Sequence, residues 1–328
     1  MKYRYLRLSQ KDFGLTMFNK KFVLLIVFFV AVVQLQAENY SYGFLRYNSG
    51  ARAAALGGTF EAVNNDASAM FYNPATINTV VTKPFSLTFL KHALDINSGN
   101  VTYVREFDDI GIFSASVIYS NYGSFDAADN QGNITGTFGA NDFAFGITYG
   151  NELDTNLYYG VTMKYIYSNI EKYSSSAMAF DVGIMYDFAD DRTSLAASVL
   201  NAGFQLFSYD GATESLPLDI RLGVNHRLVG LPLLIGLSFH HLADKMDNFG
   251  ERFLNFSVGG EFYIGKYVDI RLGYDNYTRR FTSPTNEKKL SGFSAGVGIK
   301  TKYFNFDYAL SQVGSANLLN RFSIYLEL

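Results

Sequence analysis

The stretch Leu254-Asn255-Phe256-Ser257-Val258-Gly259-Gly260-Glu261-Phe262-Tyr263-Ile264 decides the fold. Leu254, Phe256, Val258, Phe262 and Ile264 fall on one side of a period of two, and Asn255, Ser257, Gly259 and Glu261 on the other. Successive side chains of a strand point to opposite faces, so the two faces of this strand meet different solvents. The next segment repeats the pattern, with Val268, Ile270, Leu272 and Tyr274 against Asp269, Arg271, Gly273 and Asp275. Phe304, Phe306, Tyr308 and Leu310 alternate with Asn305, Asp307, Ala309 and Ser311. The chain ends with Phe322, Ile324, Leu326 and Leu328 opposite Ser323, Tyr325 and Glu327.

Working outward, the region from Phe85 divides at clusters of Asp, Asn, Gly and Ser into fourteen such segments. They include 110–121, 141–150, 231–243, 252–264, 267–278 and 288–301. Most reach the roughly 9 to 11 residues that cross a bilayer at a tilt, and an even number closes an antiparallel barrel with both ends on one side. Pro74, Pro84, Pro217, Pro232 and Pro284 fall at strand starts or in loops, where a missing amide donor breaks no central ladder. A soluble sandwich alternates too. Here, however, one face is aliphatic and aromatic over many strands while the other is polar, which is the reverse of a packed soluble interior of this size. The predicted fold class is therefore all-β: a transmembrane antiparallel barrel of about fourteen strands over 85–328.

Composition agrees. The chain has 328 residues, 48% apolar, 16% aromatic and 17% charged, with no Cys and no Trp. Its one long apolar run, Phe22 to Val33, is shorter than the roughly 20 residues a spanning helix needs. Lys20 and Lys21 precede it and Ala37 follows, so residues 1–37 read as a signal peptide, with Met17 as an alternative start. Without that leader 21 basic residues face 29 acidic ones, a net charge of −8, which argues against nucleic acid as a partner. No thiolate metal site or disulfide framework is available. An exported, aromatic, cysteine-free barrel belongs in the outer membrane of a Gram-negative-type bacterium, against its lipid.

Residues 38–84 do not alternate. Gly50-Ala51-Arg52-Ala53-Ala54-Ala55-Leu56-Gly57-Gly58 is small and close-packing, and Asn65-Asp66-Ala67-Ser68-Ala69 leads on to Asn73-Pro74-Ala75. Asp66 is placed to cap a short helix that Asn73-Pro74 ends. A compact segment ahead of a barrel this wide fits inside it as a plug, or hatch. These runs resemble the hatch of outer-membrane proteins related to the FadL long-chain fatty-acid channel, and particularly the PorV/PorQ proteins of type IX secretion. The matching positions are Arg52, Gly57, Gly58, Asp66, Asn73 and Pro74; Asn65 departs from the family's acidic pair. The mature length, Gly132-Asn133-Ile134-Thr135-Gly136 and the glycine-rich strand Gly292 to Lys300 favour PorQ within that group. The resemblance implies a non-enzymatic anchor or docking component of the secretion and attachment complex. Its implied partners are a PorZ-like surface protein, sortase-like PorU, and PorV. The alternative it leaves open is a FadL-like transporter of hydrophobic small molecules.

Asp-Ile-Arg-Leu-Gly occurs twice, placing Asp219, Arg221, Asp269 and Arg271 in the lumen. They either line a passage or pair with each other and with the hatch, Arg52 included. His240 and His241, being adjacent, are expected on opposite faces of a strand, which speaks against a shared metal. Ser238 and His240 share a face but lack an orienting acid and oxyanion donors, so catalysis is not expected. No cofactor is expected either. The stretch Asn121 to Ala140 reads as a long loop whose Tyr122, Phe125 and Phe138 either anchor a partner or cover the barrel mouth; Phe281 to Lys289 is a second such candidate.

Overall fold

The structure, a computed structural model, describes residues 41–92, 96–209, 211, 213–282, 289–314 and 317–327. The leader expected over 1–37 and Pro284 lie outside the described residues. Fourteen strands form one closed barrel. They are β1 (Phe85–Lys91), β2 (Asn97–Phe107), β3 (Gly111–Ala128), β4 (Ile134–Asp154), β5 (Leu157–Ile170), β6 (Tyr173–Asp187) and β7 (Thr193–Phe207), then β8 (Asp219–Arg227), β9 (Leu233–Phe239), β10 (Phe256–Ile264), β11 (Val268–Asp275), β12 (Phe293–Lys300), β13 (Phe304–Val313) and β14 (Asn317–Leu326). Every strand runs antiparallel to its sequence neighbours, and β1 closes on β14 with Phe85 opposite Leu326. This is the transmembrane all-β barrel that the alternation predicts.

The period of two becomes a partition between lipid and lumen. On β1, Leu87 and Phe89 are exposed while Ser86 and Thr88 are buried; on β11, Ile270 and Leu272 are exposed on either side of a buried Arg271. Inside, hydroxyls meet across strands, with Thr148 2.8 Å from Thr162 and Thr88 2.8 Å from Ser323. Such pairs satisfy polar groups that have no place in hydrocarbon. Both barrel ends lie at one rim, where Ile264 to Val268 and Lys300 to Phe304 turn tightly. The opposite rim carries the long connections, Phe239 to Phe256 and Asp275 to Phe293.

Three expectations change. Asn121 to Ala140 is not a loop: β3 runs to Ala128 and β4 starts at Ile134, so most of the stretch is a hairpin standing above the wall. Its pairing shifts register between Asn121 and Ser124, which is why the alternation fades there. His240 and His241 do not face opposite sides, because β9 ends at Phe239 and His241 adopts a left-handed backbone (φ 54). Both rings are buried, 4.8 Å apart. Finally, several strands are shorter than expected at the loop rim. Phe249–Leu254 forms a 3₁₀ turn that takes Leu254 out of β10, and a short helix, Asn276–Phe281, follows β11.

Candidate functional site

The hatch fills the lumen, and its local structure follows from its motifs. Helix α1 (Ala51–Ala55) ends where Gly57 and Gly58 turn left-handed (φ 67 and 84). The Gly58 amide donates to Ala53 O at 2.9 Å and the Gly57 amide to Ala54 O at 3.1 Å, a Schellman cap that glycine makes without Cβ strain. Asp66 caps the 3₁₀ turn Ala67–Phe71 by accepting from the Ser68 amide at 2.9 Å. Asn73 caps the next turn, Pro74–Thr79, through the Ala75 amide at 3.0 Å, with Pro74 at its first position. The Asn73 amide group also donates to the wall, at Ile184 O, 3.0 Å away.

Ion pairs join hatch to wall. Arg52 donates to Glu261 (2.6 Å) and Asp66 (3.2 Å). Burial opposes the Arg52 charge, but Glu261 and then Asp66 outweigh it and hold the guanidinium well above its ordinary pKa. Arg271 shares Glu261 (2.7 Å) and also reaches Asp307 (2.8 Å) and Asp269 (3.2 Å). The second pentapeptide thus serves one network with Arg52. The first serves another: Arg221 reaches Asp219 (2.7 Å) and hatch Glu61 (3.4 Å), and Ser238 donates to Glu61 as well. Asp219 also accepts from the His241 amide at 2.5 Å. Farther along, Arg46 pairs with Asp244 at 2.6 Å.

Glycines let the two surfaces touch. A Cβ on Gly160 would lie 2.4 Å from the Pro74 carbonyl, on Gly259 2.7 Å from Leu56 O, and on Gly273 2.1 Å from the Gly57 nitrogen. Gly296 faces Ala55 and Gly236 faces Thr59 in the same way. Sequence reading missed Glu61, Glu261, Asp307 and this glycine lining. Their signal was present, since Glu261, Asp307, Gly259 and Gly273 all stand on polar faces of alternating strands.

The remaining candidates have other roles. Tyr122 donates to Asp142 at 2.6 Å and is engaged in the wall. Phe125 and Phe138 face each other across the β3–β4 hairpin, rings stacked at 5.4 Å. Ser238 is held by Glu61, whereas His240 contacts Asp275 at 3.2 Å, so the two form no nucleophile–base pair. Among the described residues no cluster of His, Cys, Asp and Glu has a metal-binding arrangement.

Comparison with solved structures returns barrels of the same fold. The Pseudomonas putida toluene transporter TodX aligns over 89% of this chain and 99% of its own, with 12% identity and a TM-score of 0.58. The Ralstonia pickettii toluene transporter TbuX aligns over 86% and 100% (13% identity, TM-score 0.54), and a Pseudomonas aeruginosa FadL homologue over 86% and 98% (10%, 0.54). At these identities the likeness is one of fold. No curated protein gives a significant sequence match. The family model of the type IX secretion system protein PorV, however, matches residues 35–228, more than half of the chain. With the hatch motifs inside the matched region, the chain belongs to the PorV family of type IX secretion proteins.

Proposed function

We propose that this barrel is a non-enzymatic outer-membrane component of type IX secretion that anchors or docks attachment-complex partners at the cell surface. The observation that carries this reading is the locked hatch. Two buried ion-pair networks and direct backbone contact at glycines join plug to wall, so the molecule offers a rigid support more readily than a passage. Above the support, β3 and β4, 18 and 21 residues long, outreach the 7-residue β1 and β9 and present an aromatic pair on a free hairpin. Loops and hairpins on a rigid scaffold are where recognition concentrates. The partners we assign are a PorZ-like surface protein, sortase-like PorU, and PorV. Within the family we assign the chain to the PorQ type, a reading that the glycine-rich strand Gly292 to Lys300 supports.

One observation favours the alternative, transport of hydrophobic molecules. An apolar depression of about 720 Å³ lies over β8–β12, lined by Ile235, Val258 and Leu272. Those side chains face outward, and the lumenal side of the same strands is filled where Gly236, Gly259 and Gly273 meet the hatch. The depression therefore has no continuation inward. Affinity purification in mild detergent followed by mass spectrometry tests the choice. Secretion components should copurify, and replacing residues 124–138 by a tight turn should release them. Recovery of a hydrophobic ligand with no secretion component would reverse the assignment.

A further inference from the structure

Arg321 of β14 differs from the three arginines that join hatch and wall. Arg52, Arg221 and Arg271 each reach at least two carboxylates. Arg321 is just as buried, at 4% exposure, yet its Nη1 donates only to Ser311 Oγ (3.2 Å) and its Nε has no hydrogen-bond partner. Among the described residues it forms no ion pair. A buried guanidinium without a counter-charge is costly, and water would replace a hydrogen bond but not the missing charge.

The side chain borders a chamber of about 540 Å³ between the hatch and the loop rim. Arg46 and Arg221 also line it, and among its described lining residues Asp275, already in contact with His240, is the single carboxylate. Arg46 is held by Asp244 and Arg221 by Asp219 and Glu61, so Arg321 is the one arginine among the described lining residues without a carboxylate partner. His92 stands beside Tyr47 with its imidazole pushed down to about 4, by burial first and then by the Arg321 charge. It is neutral at pH 7 and offers hydrogen bonding without added charge. Tyr47 and Asn317 are exposed at the rim, which gives a way in from the loop side.

We propose that this chamber binds an oxyanion, a carboxylate or phosphate group, with the unengaged edge of the Arg321 guanidinium as its principal donor. The planar fork of arginine suits both groups, which accept two parallel hydrogen bonds. The volume leaves room for the molecule that bears the anion.

The test is calorimetric titration of the full barrel in a non-ionic detergent with inorganic phosphate and, separately, acetate at matched ionic strength. Saturable binding of either supports the site, and which one binds identifies the group. Arg321→Met should weaken binding about 10- to 100-fold, the usual loss for a charged hydrogen bond. Arg321→Lys, which keeps the charge but not the fork, should also weaken it and serves if the methionine variant does not fold. In the absence of anion, Arg321→Met should unfold at the same or a higher temperature, because it removes an uncompensated charge. No saturable binding of either anion to the unaltered protein, equal affinity in the variants, or a clear fall in unfolding temperature for Arg321→Met would each overturn the proposal.

Discussion

Glu261 is the wall carboxylate that meets hatch Arg52. It is wholly buried and accepts from Arg52, Arg271 and the Tyr263 hydroxyl, so one carboxylate links plug, β10 and β11. Removing one partner from a buried pair strands the other charges, typically at a cost of about 3–5 kcal/mol. Glu261→Gln should therefore lower the thermal unfolding midpoint clearly, and an unchanged midpoint would show that the network contributes little. Glycine contacts give a second test at the same scale. Gly160→Val should cost at least about 1–3 kcal/mol by overpacking against Pro74. The hatch should also become cleavable in limited proteolysis. Gly136→Val, at a position with open space around it, should behave as the parent protein. Much of this site was legible in outline: Arg52, Asp66 and the two Asp-Ile-Arg-Leu-Gly copies stood out as polar groups in an apolar chain. Glu61 did not, because the sequence around it has no period.

For single elements, alternation is the controlling property. Ile270 faces lipid between lumenal Asp269 and Arg271, so Ile270→Arg moves a charge of the kind next to it onto the wrong face. The expected cost is about 2–4 kcal/mol near the bilayer midplane, measurable as reduced folding efficiency into vesicles. The same rule explains where element reading failed. Above the bilayer both faces of the β3–β4 hairpin meet water, so no apolar face is enforced and the stretch resembles a loop. A register shift at Asn121 adds to the effect. Opposite faces for His240 and His241 require that β9 continue past Phe239. The left-handed backbone at His241 breaks the alternation, and nothing in the dipeptide itself signals it.

At the scale of the molecule, a hatch locked into a closed barrel should block ions. In planar bilayers the protein should show no steady conductance, whereas deletion of residues 43–79 should open a large one. Steady conductance in the intact protein would mean that the hatch leaves a channel. The number of strands, their inward and outward faces and the presence of a non-alternating plug were determined by sequence alone, because lipid and lumen impose opposite polarities at a period of two. Which hatch residue meets which wall residue was decided by the tertiary structure. Arg52 and Glu261 are 209 positions apart, and Ser238 and Glu61 are 177. Barrel closure alone brings such pairs together, and the wall glycines set how near the plug can come.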